Sequence, residues 1–405
     1  MSIRHWVWLS SLTNASPKAR AALCSYYGGA EEAFHAPPGD YRKVPGLTEH
    51  EAELFEARDL SAADRILGDC AREGIDIIPL QDARYPVRLK NIFAPPVALY
   101  VKGRLPDVDG VPSAAVIGTR RATPYGLKMG RDIAFGVAKC GGIVVSGLTE
   151  GVDRAAARGC LLAGGTCIGV LGTCHGGEAE LSRDVAASGA LVSEYPPGTP
   201  PLKRFFRERN RISSGLSHAV CVVEAPEKSG CQLFVQEALE QGREIFAVPG
   251  NADAVNSAGT IALLKQGARP AVCGWDVMED FADVYPEHIH RPGDMILPDG
   301  AAEAAEKPAE RAAPVESERP ETTKKEIDKE NAAGYIDWKE QLAGLNAEQL
   351  QIISAIGRGE THIDDIIETT NLSAAKVLSQ LTILEIKGYV RRAAGRRVAL
   401  NLIKK

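Results

Sequence analysis

The chain has 405 residues, 25% of them charged, and a formal net charge of −6. This length allows two to four globular domains, and the charge excludes a polycation that binds nucleic acid everywhere on its surface. No apolar run approaches the ~18 residues of a membrane span, and the first residues lack the layout of a signal peptide. The nine cysteines include no CxxC pair, which favours buried reduced thiols. We therefore expect a cytoplasmic protein without a membrane partner.

Residues 1–75 are predicted to form a small helical domain. Apolar positions recur at helical spacing in Ala19–Tyr26, Glu49–Asp59 and Ala62–Glu73. A turn at residues 44–47, Val-Pro-Gly-Leu, is expected to join the first two of these helices. It fits either a helix-hairpin-helix, whose glycine amides approach a DNA phosphate, or a plain turn between helices. The expected fold is of the SAM or helix-hairpin-helix kind.

Residues 76–285 alternate short apolar runs with amphipathic segments such as Tyr125–Lys139 and Gln232–Gln241. Apolar runs without alternation are typical of strands that are buried on both faces. The predicted strands are Asp76–Leu80, Ala98–Val101, Ala114–Ile117, Ile143–Val145, Cys167–Leu171, Ala190–Val192, Ala219–Val223 and Ile245–Val248. Strand–helix–strand repetition implies right-handed crossovers. We therefore predict an α/β domain, a Rossmann-like three-layer core around a parallel sheet.

Residues 286–340 are predicted to be an acidic, disordered linker. Within them, residues 299–331 hold ten acidic and six basic residues and no aromatic side chain. Such a segment cannot bury enough apolar surface to offset its ordering entropy.

Residues 341–405 are predicted to form a winged-helix domain. Three segments with helical apolar spacing precede two strands, Tyr389–Arg392 and Arg396–Leu400, which join across Gly395. From Arg391 to the end of the sequence there are six basic residues and no acidic one. This basic segment is either a wing that contacts DNA or a solvated tail.

Three loops that each follow a predicted strand carry small residues and hydrogen-bond donors. They span residues 118–124, 146–153 and 226–230. In an open parallel sheet, ligands bind beyond the carboxyl ends of the strands, where helix N-termini favour anions. The three loops together therefore predict a crevice for phosphate groups, although the dinucleotide pattern GxGxxG is absent. Asp153 in the second loop either caps a helix and holds the loop or serves in acid–base chemistry.

A basic cluster lies at residues 203–211, where five basic residues and two phenylalanines fall within nine positions. Basic side chains neutralise phosphates, and aromatic rings stack on unpaired bases. Because the cluster occurs in the same domain as the phosphate-type loops, a role in nucleic-acid binding is favoured over a solvated surface. Phe205 and Phe206 fit either a base-stacking role or the core.

These motifs, taken in order, resemble the DNA-processing protein A family, also called DprA or Smf. The resemblance is strong over residues 75–275, and looser over the helical domain and the winged helix. The segments that carry it are Gly118–Arg120 with Ala122–Gly126, Ser146–Leu148 with Gly151–Asp153, Ser193–Gly198, Arg209–Ile212, Val223–Ala225, Lys228–Gly230 and Ala247–Gly250.

The resemblance implies a protein that binds single-stranded DNA and loads the RecA recombinase onto it during natural transformation. It also implies a homodimer through the Rossmann-like domain, no cofactor or metal, and no catalytic residues. The residues that would contact phosphates or form the pocket are Gly118, Thr119, Arg120, Thr123, Ser146, Gly147, Gly151, Arg209, Asn210, Arg211, Lys228, Ser229 and Gly230.

This chain departs from the family pattern at four pocket positions. Ala157 stands where a histidine is common, Arg207 where a proline is usual, Phe234 in place of a threonine and Ile261 in place of an asparagine. The departures leave the fine preference for DNA open.

Two other functions fit parts of the sequence. A nucleotide-processing enzyme of similar fold would need the pattern P-G-G-x-G-T-x-x-E, which does not occur in the required spacing here. The candidate acids for such an enzyme are then Glu150 and Glu224. A transcription regulator would read duplex DNA with the winged helix and sense a nucleotide with the Rossmann-like domain. Strand preference discriminates the regulator from a single-strand binder, whose phosphate and stacking contacts carry little sequence information.

Overall fold

The computed structural model describes residues 2–172 and 180–291, followed by parts of the stretch from 347 to 400. The chain divides into two compact units, Met1–Lys307 and Pro308–Lys405. Most of the predicted linker, from residue 292 onward, lies outside the described residues. No helix in the described parts is both long and apolar enough to span a membrane.

The chain begins with five helices that pack together on the edge of the sheet. They are α1 (Ile3–Ser11), α2 (Pro17–Tyr27), α3 (Ala30–Phe34), α4 (Glu49–Glu56) and α5 (Ser61–Glu73). Their shared core is built around Trp6, Trp8 and Leu23, and it continues onto Ile77 and Tyr100 of the first two strands. The predicted helical domain therefore packs directly on the sheet.

Two of these helices and one connection differ from the sequence prediction. Helix α1 was missed because four consecutive residues, Trp6, Val7, Trp8 and Leu9, are apolar and buried, which hides the spacing of an amphipathic pattern. The predicted turn at residues 44–47 is present, but it joins a 3₁₀ turn at Asp40–Lys43 to α4, and α3 also lies between α2 and α4.

The sheet has nine strands and confirms the predicted α/β core. The strands are β1 (Ile75–Pro79), β2 (Ala98–Gly103), β3 (Ser113–Ile117), β4 (Ile143–Ser146), β5 (Cys167–Leu171), β6 (Ala190–Ser193), β7 (Ala219–Val222), β8 (Glu244–Ala247) and β9 (Arg269–Pro270). Their spatial order is β1-β2-β6-β5-β4-β3-β7-β8-β9.

The sheet is mixed rather than parallel throughout, because β2 pairs antiparallel with both β1 and β6. The connection from β1 to β2 contains a single helical turn, α6 (Val87–Lys90). It lacks the long helical crossover that a parallel pairing of these strands would use. The remaining neighbours pair in parallel, as predicted.

Helices cover both faces of the sheet and make three layers. They are α7 (Pro124–Lys139), α8 (Val152–Leu162), α9 (Glu180–Ser188), α10 (Lys203–Glu208), α11 (Asn210–Gly215), α12 (Gly230–Glu240), α13 (Ala258–Lys265) and α14 (Gly274–Met278). One core joins α7, α8, α9 and α14 to one face, and a second core joins α11 and α12 to the other.

The C-terminal unit contains helices Ala347–Ala355 and Ile363–Thr370 and three short strands. Strand Arg397–Leu400 lies between Thr361–His362 and Val390–Ala393 and pairs antiparallel with both. Ile352, Ile366, Leu381 and Val398 are among the buried residues of its core. The hairpin strands agree with the predicted wing, whereas the two-residue strand Thr361–His362 was too short to be recognised. A DNA contact by this wing stays a prediction.

Candidate nucleic-acid interface

A crevice of about 800 Å³ opens at the carboxyl end of the sheet. It lies among the loops that follow β3, β4 and β7, the α10–α11 segment and the start of α12. Eight predicted site residues line it, namely Gly118, Thr119, Arg120, Gly147, Arg209, Asn210, Ser229 and Gly230. The loops from three separate strands therefore do meet in one place, as the sheet topology requires. We call this cavity the basic crevice.

The loop after β3 is held by the buried carboxylate of Glu224. The amide of Thr123 donates to Oε2 of Glu224 at 2.9 Å, and its hydroxyl donates to Oε1 at 2.5 Å. The candidate acid Glu224 therefore accepts hydrogen bonds from the loop with both carboxylate oxygens. Gly126 is required here, because a Cβ atom at this position would stand 2.2 Å from the Glu224 carboxylate. The Thr123 hydroxyl oxygen also accepts from the Gly126 amide and so caps helix α7. Its only hydrogen is donated to Glu224.

The loop after β4 folds tightly against the first loop. The Ser146 hydroxyl donates to the Asp153 carbonyl at 2.7 Å and accepts from the Leu148 amide at 3.1 Å. Leu148 has a φ of 53°, in the left-handed region that leucine rarely occupies. Gly151 has a φ of 83°, and a Cβ atom there would lie 2.2 Å from the Thr119 carbonyl oxygen. Close packing of the two loops therefore fixes their shape.

Asp153 and Arg209 form a buried pair at the base of the basic crevice. They are 6% and 8% exposed, and Arg209 Nη2 lies 3.8 Å from Asp153 Oδ2. Arg209 Nη1 donates to the carbonyls of Gly147 at 2.6 Å and Val170 at 3.1 Å. Burial raises the pKa of Asp153, and the Arg209 charge opposes that rise. The Thr149 hydroxyl also donates to Asp153 at 2.8 Å. Asp153 therefore holds the loop, which is one of the two roles predicted for it.

The basic cluster at residues 203–211 separates into exposed and buried members. Lys203 and Arg207 are exposed and line the basic crevice with the ring of Phe206. Phe205 is buried, and its ring centroid lies 3.9 Å from that of Tyr195, so Phe205 belongs to the core. A base-stacking role for this residue is therefore wrong.

Five of the predicted site residues lie outside the lining of the basic crevice: Thr123, Ser146, Gly151, Arg211 and Lys228. The first three shape the loops, as described above. Arg211 points to Glu194, with Nη2 2.6 Å from Oε2, because a buried guanidinium needs a buried partner. Lys228 is exposed beside the loop after β7. The phosphate contacts expected of Arg211 and Lys228 stay a prediction.

The sequence reading did not single out Arg121, Lys203 and Arg207 as site residues, although all three line the basic crevice and are exposed. Lys203 and Arg207 are four residues apart on helix α10, a spacing that places two side chains on one face. That spacing was the available signal. Ser213 also lines the crevice, and its buried hydroxyl has no hydrogen-bond partner among the described residues.

Comparisons with known proteins agree with this fold and site. The family model of DNA recombination-mediator protein A matches residues 76–282, and the model of the DprA winged helix domain matches residues 339–396. The fold and the basic crevice thus belong to a DNA-binding recombination mediator. Protein Smf of Escherichia coli is 31% identical over 362 residues, which cover 88% of this chain and 86% of that protein. The chain belongs to the DNA recombination-mediator protein A family, known as DprA or Smf.

Two further relatives support the same conclusion. DNA processing protein DprA of Bacillus subtilis is 36% identical over 227 residues, covering 54% of this chain and 75% of the relative. The X-ray structure of DNA processing protein A from Streptococcus pneumoniae aligns with a TM-score of 0.60 at 28% identity, covering 68% of this chain and 97% of that one. The resemblance found in the sequence is confirmed.

Proposed function

We propose that the basic crevice binds single-stranded DNA and that the protein presents the bound strand to the RecA recombinase. The observation that carries this proposal is the group of exposed cationic side chains in the lining of the crevice. Arg120, Arg121, Lys203 and Arg207 all line it and are exposed. Guanidinium and ammonium groups neutralise phosphates and release their counterions.

The apolar side chains that line the basic crevice favour an unpaired strand. Phe206, Leu233 and Phe234 line this cavity beside the cationic residues. A duplex keeps its base faces in its own stack, whereas an unpaired base can leave its neighbours and stack on an aromatic ring. The unpartnered hydroxyl of Ser213 supports a polar contact deeper in the same cavity.

The use of the acids supports the proposal of a binding role. Glu224 accepts from Thr123, and Asp153 faces Arg209, so both carboxylates serve the loops. Glu150 is the exposed carboxylate among the described lining residues, and that lining includes no histidine to work with it. An acid–base pair needs two groups within hydrogen-bond reach.

The remaining assignments rest on family membership. We infer that the protein acts as a homodimer through the Rossmann-like domain, with RecA as its partner. We also infer a cytoplasmic location, because the eight cysteines in the described residues are free thiols, which suit a reducing compartment. Domain boundaries at residues 75, 285 and 340 are part of the same proposal.

The proposal is tested by fluorescence anisotropy with labelled single-stranded and duplex oligonucleotides of equal length across a salt series. We expect the single strand to bind more tightly. Arg120→Ala and Arg207→Ala should each weaken binding several-fold and flatten the salt slope by about 0.7. Arg72→Ala is the matched control, since Arg72 is exposed on α5 and outside the crevice. Tighter binding of the duplex, or equal binding by both crevice variants and wild type, would contradict the proposal.

A further inference from the structure

The carboxylate of Glu194 joins two parts of the fold that are far apart in sequence. Glu194 directly follows β6 and is 1% exposed. Arg20 Nη2 donates to its Oε1 at 3.3 Å, and Arg211 Nη2 donates to its Oε2 at 2.6 Å. Arg20 lies on helix α2, and Arg211 lies on helix α11 beside the basic crevice. We call Arg20, Glu194 and Arg211 the Glu194 clamp.

The Glu194 clamp holds two buried cations on one buried anion. Arg20 is 1% exposed and Arg211 is 6% exposed. Without the carboxylate, two desolvated guanidinium groups would face each other with no compensating charge. The arrangement therefore holds α2 and α11 at a fixed separation as long as all three groups are charged.

Each arginine of the Glu194 clamp is also connected to a neighbouring part of the structure. Arg20 Nη1 donates to the carbonyl of Ser10 at 3.1 Å, at the end of α1. The Ser10 hydroxyl lies 2.6 Å from the Tyr100 hydroxyl on β2. On the other side, Arg211 follows the pocket residues Arg209 and Asn210 without a break. A displacement of α1 or α2 is therefore transmitted to the segment that lines the basic crevice.

Two further contacts hold helix α10, which precedes Arg211 in the same segment. The Arg204 guanidinium donates to the carbonyl of Thr13 at 3.1 Å, between α1 and α2. The Tyr195 ring packs on Phe205, and its hydroxyl donates to Glu208. Both ends of α10 are thus held by the helical region or by the residue after Glu194.

We propose that the N-terminal helices position the DNA-binding segment Lys203–Gly215 through the Glu194 clamp, so that Arg20 and Glu194 set DNA affinity without touching DNA. This inference rests on the proposed function for its binding readout. It assigns a task to the helical region and to the motif Ser193–Gly198, neither of which lines the basic crevice. Arg20 and Glu194 are positioning residues.

The test compares Arg20→Met, Arg20→Lys and Glu194→Gln in the full chain with Arg4→Met. Arg4 is the control because it forms an exposed ion pair with Asp64 in the same helical region. The probe is labelled oligothymidylate, across a salt series, and thermal unfolding shows that each variant is folded at the assay temperature. We expect Arg20→Met and Glu194→Gln to lower affinity about fivefold to tenfold with the wild-type salt slope. Arg20→Lys keeps the charge and should recover part of the loss.

Hydrogen exchange without DNA gives a readout that does not depend on the proposed function. Amides of residues 203–215 should exchange faster in Arg20→Met than in wild type and Arg4→Met, and Arg20→Lys should be intermediate. A wild-type protein that fails to bind the probe would refute the proposed function, while the exchange still decides the clamp. Unchanged exchange in folded Arg20→Met would overturn the inference. If Glu194→Gln does not fold, the comparison of Arg20→Met with Arg20→Lys tests the inference. A salt slope flattened as in Arg207→Ala would also overturn it, because Arg20 would then act as a phosphate contact.

Discussion

At the scale of single residues, burial divides the arginines of the binding segment into two kinds. Arg207 is exposed on α10 and free to meet a phosphate. Arg209 is 8% exposed, donates to the carbonyls of Gly147 and of Val170 on β5, and faces Asp153. A sequence pattern records charge but not burial, so it predicted phosphate contacts for Arg209 and Arg211 alike. The neighbouring acids, Asp153 and Glu194, decide which arginines are withdrawn from the surface.

Replacing Arg209 should therefore destabilise the fold before it affects DNA. Arg209→Met leaves Asp153 as a buried, unpaired charge and should lower the free energy of unfolding by about 3 to 5 kcal/mol. Adding Asp153→Asn removes that charge and should recover most of the loss. Urea unfolding of the two single variants and the double variant measures the coupling. Additive losses in the double variant would show that the two side chains do not act as a pair.

His218 should make stability depend on pH. Burial, together with the charges of Arg88 and Arg243, lowers its pKa to about 3. The folded state keeps the ring neutral, with Nδ1 accepting from the Ser113 amide at 3.0 Å, while the unfolded chain binds a proton below pH ~6.5. Its contribution is therefore complete above pH ~6.5, and stability falls by up to about 1.4 kcal/mol per pH unit below that.

The measurement is the free energy of unfolding in urea from pH 7 to pH 5, for wild type and His218→Gln. The wild-type curve should fall more steeply, and the difference between the two curves isolates the imidazole. Parallel curves would contradict the prediction, because they would mean that His218 binds its proton equally well in the folded and the unfolded chain.

At the scale of elements, one carboxylate caps two helices. Glu51 Oε1 accepts from the amide and hydroxyl of Ser16, which precedes α2, and Oε2 accepts from the amide and hydroxyl of Thr48, which precedes α4. Burial raises the pKa of Glu51, but these hydrogen bonds outweigh it and lower the pKa to about 2. The stabilisation is present above pH ~4.5 and is lost as the pH falls toward 2.

Glu51→Gln should reduce the free energy of unfolding at pH 7 by about 1 to 2 kcal/mol, because an amide group replaces one of the two acceptor oxygens. Thermal or urea unfolding checks this value. Glu53→Gln, on the exposed side of the same helix, should stay within about 0.5 kcal/mol of wild type. A similar loss in both variants would trace the effect to net charge instead of capping.

The elements also show which parts of the fold a sequence can predict. Strands β3 to β8 were predictable because a strand buried on both faces is a short unbroken apolar run, as in Cys167–Leu171. Helix α1 was not, because four consecutive buried apolar residues hide the periodicity that marks a helix. The reversed direction of β2 depends on pairing with β6, a contact across more than eighty residues that no local pattern encodes.

The site, too, was predictable where local sequence patterns determine it and unpredictable where tertiary contacts do. Sheet topology brought the loops after β3, β4 and β7 together, which the strand pattern alone predicted. The exact partners within them depended on tertiary contacts, such as the capture of Thr123 by Glu224. Arg121, Lys203 and Arg207 could have been found from exposure, which a single sequence does not give directly.

At the scale of the whole molecule, a chain of net charge −6 is expected to bind a polyanion through a local cationic surface. Four exposed cationic side chains line the basic crevice. If each contacts one phosphate, the logarithm of the association constant should fall with the logarithm of salt concentration with a slope of about −3 per crevice. Titrations of oligothymidylate at several salt concentrations give this slope, and a value near zero would exclude phosphate binding by these residues.

The central claim is that single-stranded DNA lies in the basic crevice. Hydrogen exchange of the full chain, with and without saturating oligothymidylate, tests it most directly. We expect DNA to slow exchange in the segments around residues 118–123, 147–153, 203–214 and 229–234, while exchange on the exposed surface of α5 stays unchanged. Protection confined to the C-terminal unit, or to the opposite end of the sheet around residues 103–109, would contradict it and place the DNA elsewhere on the protein.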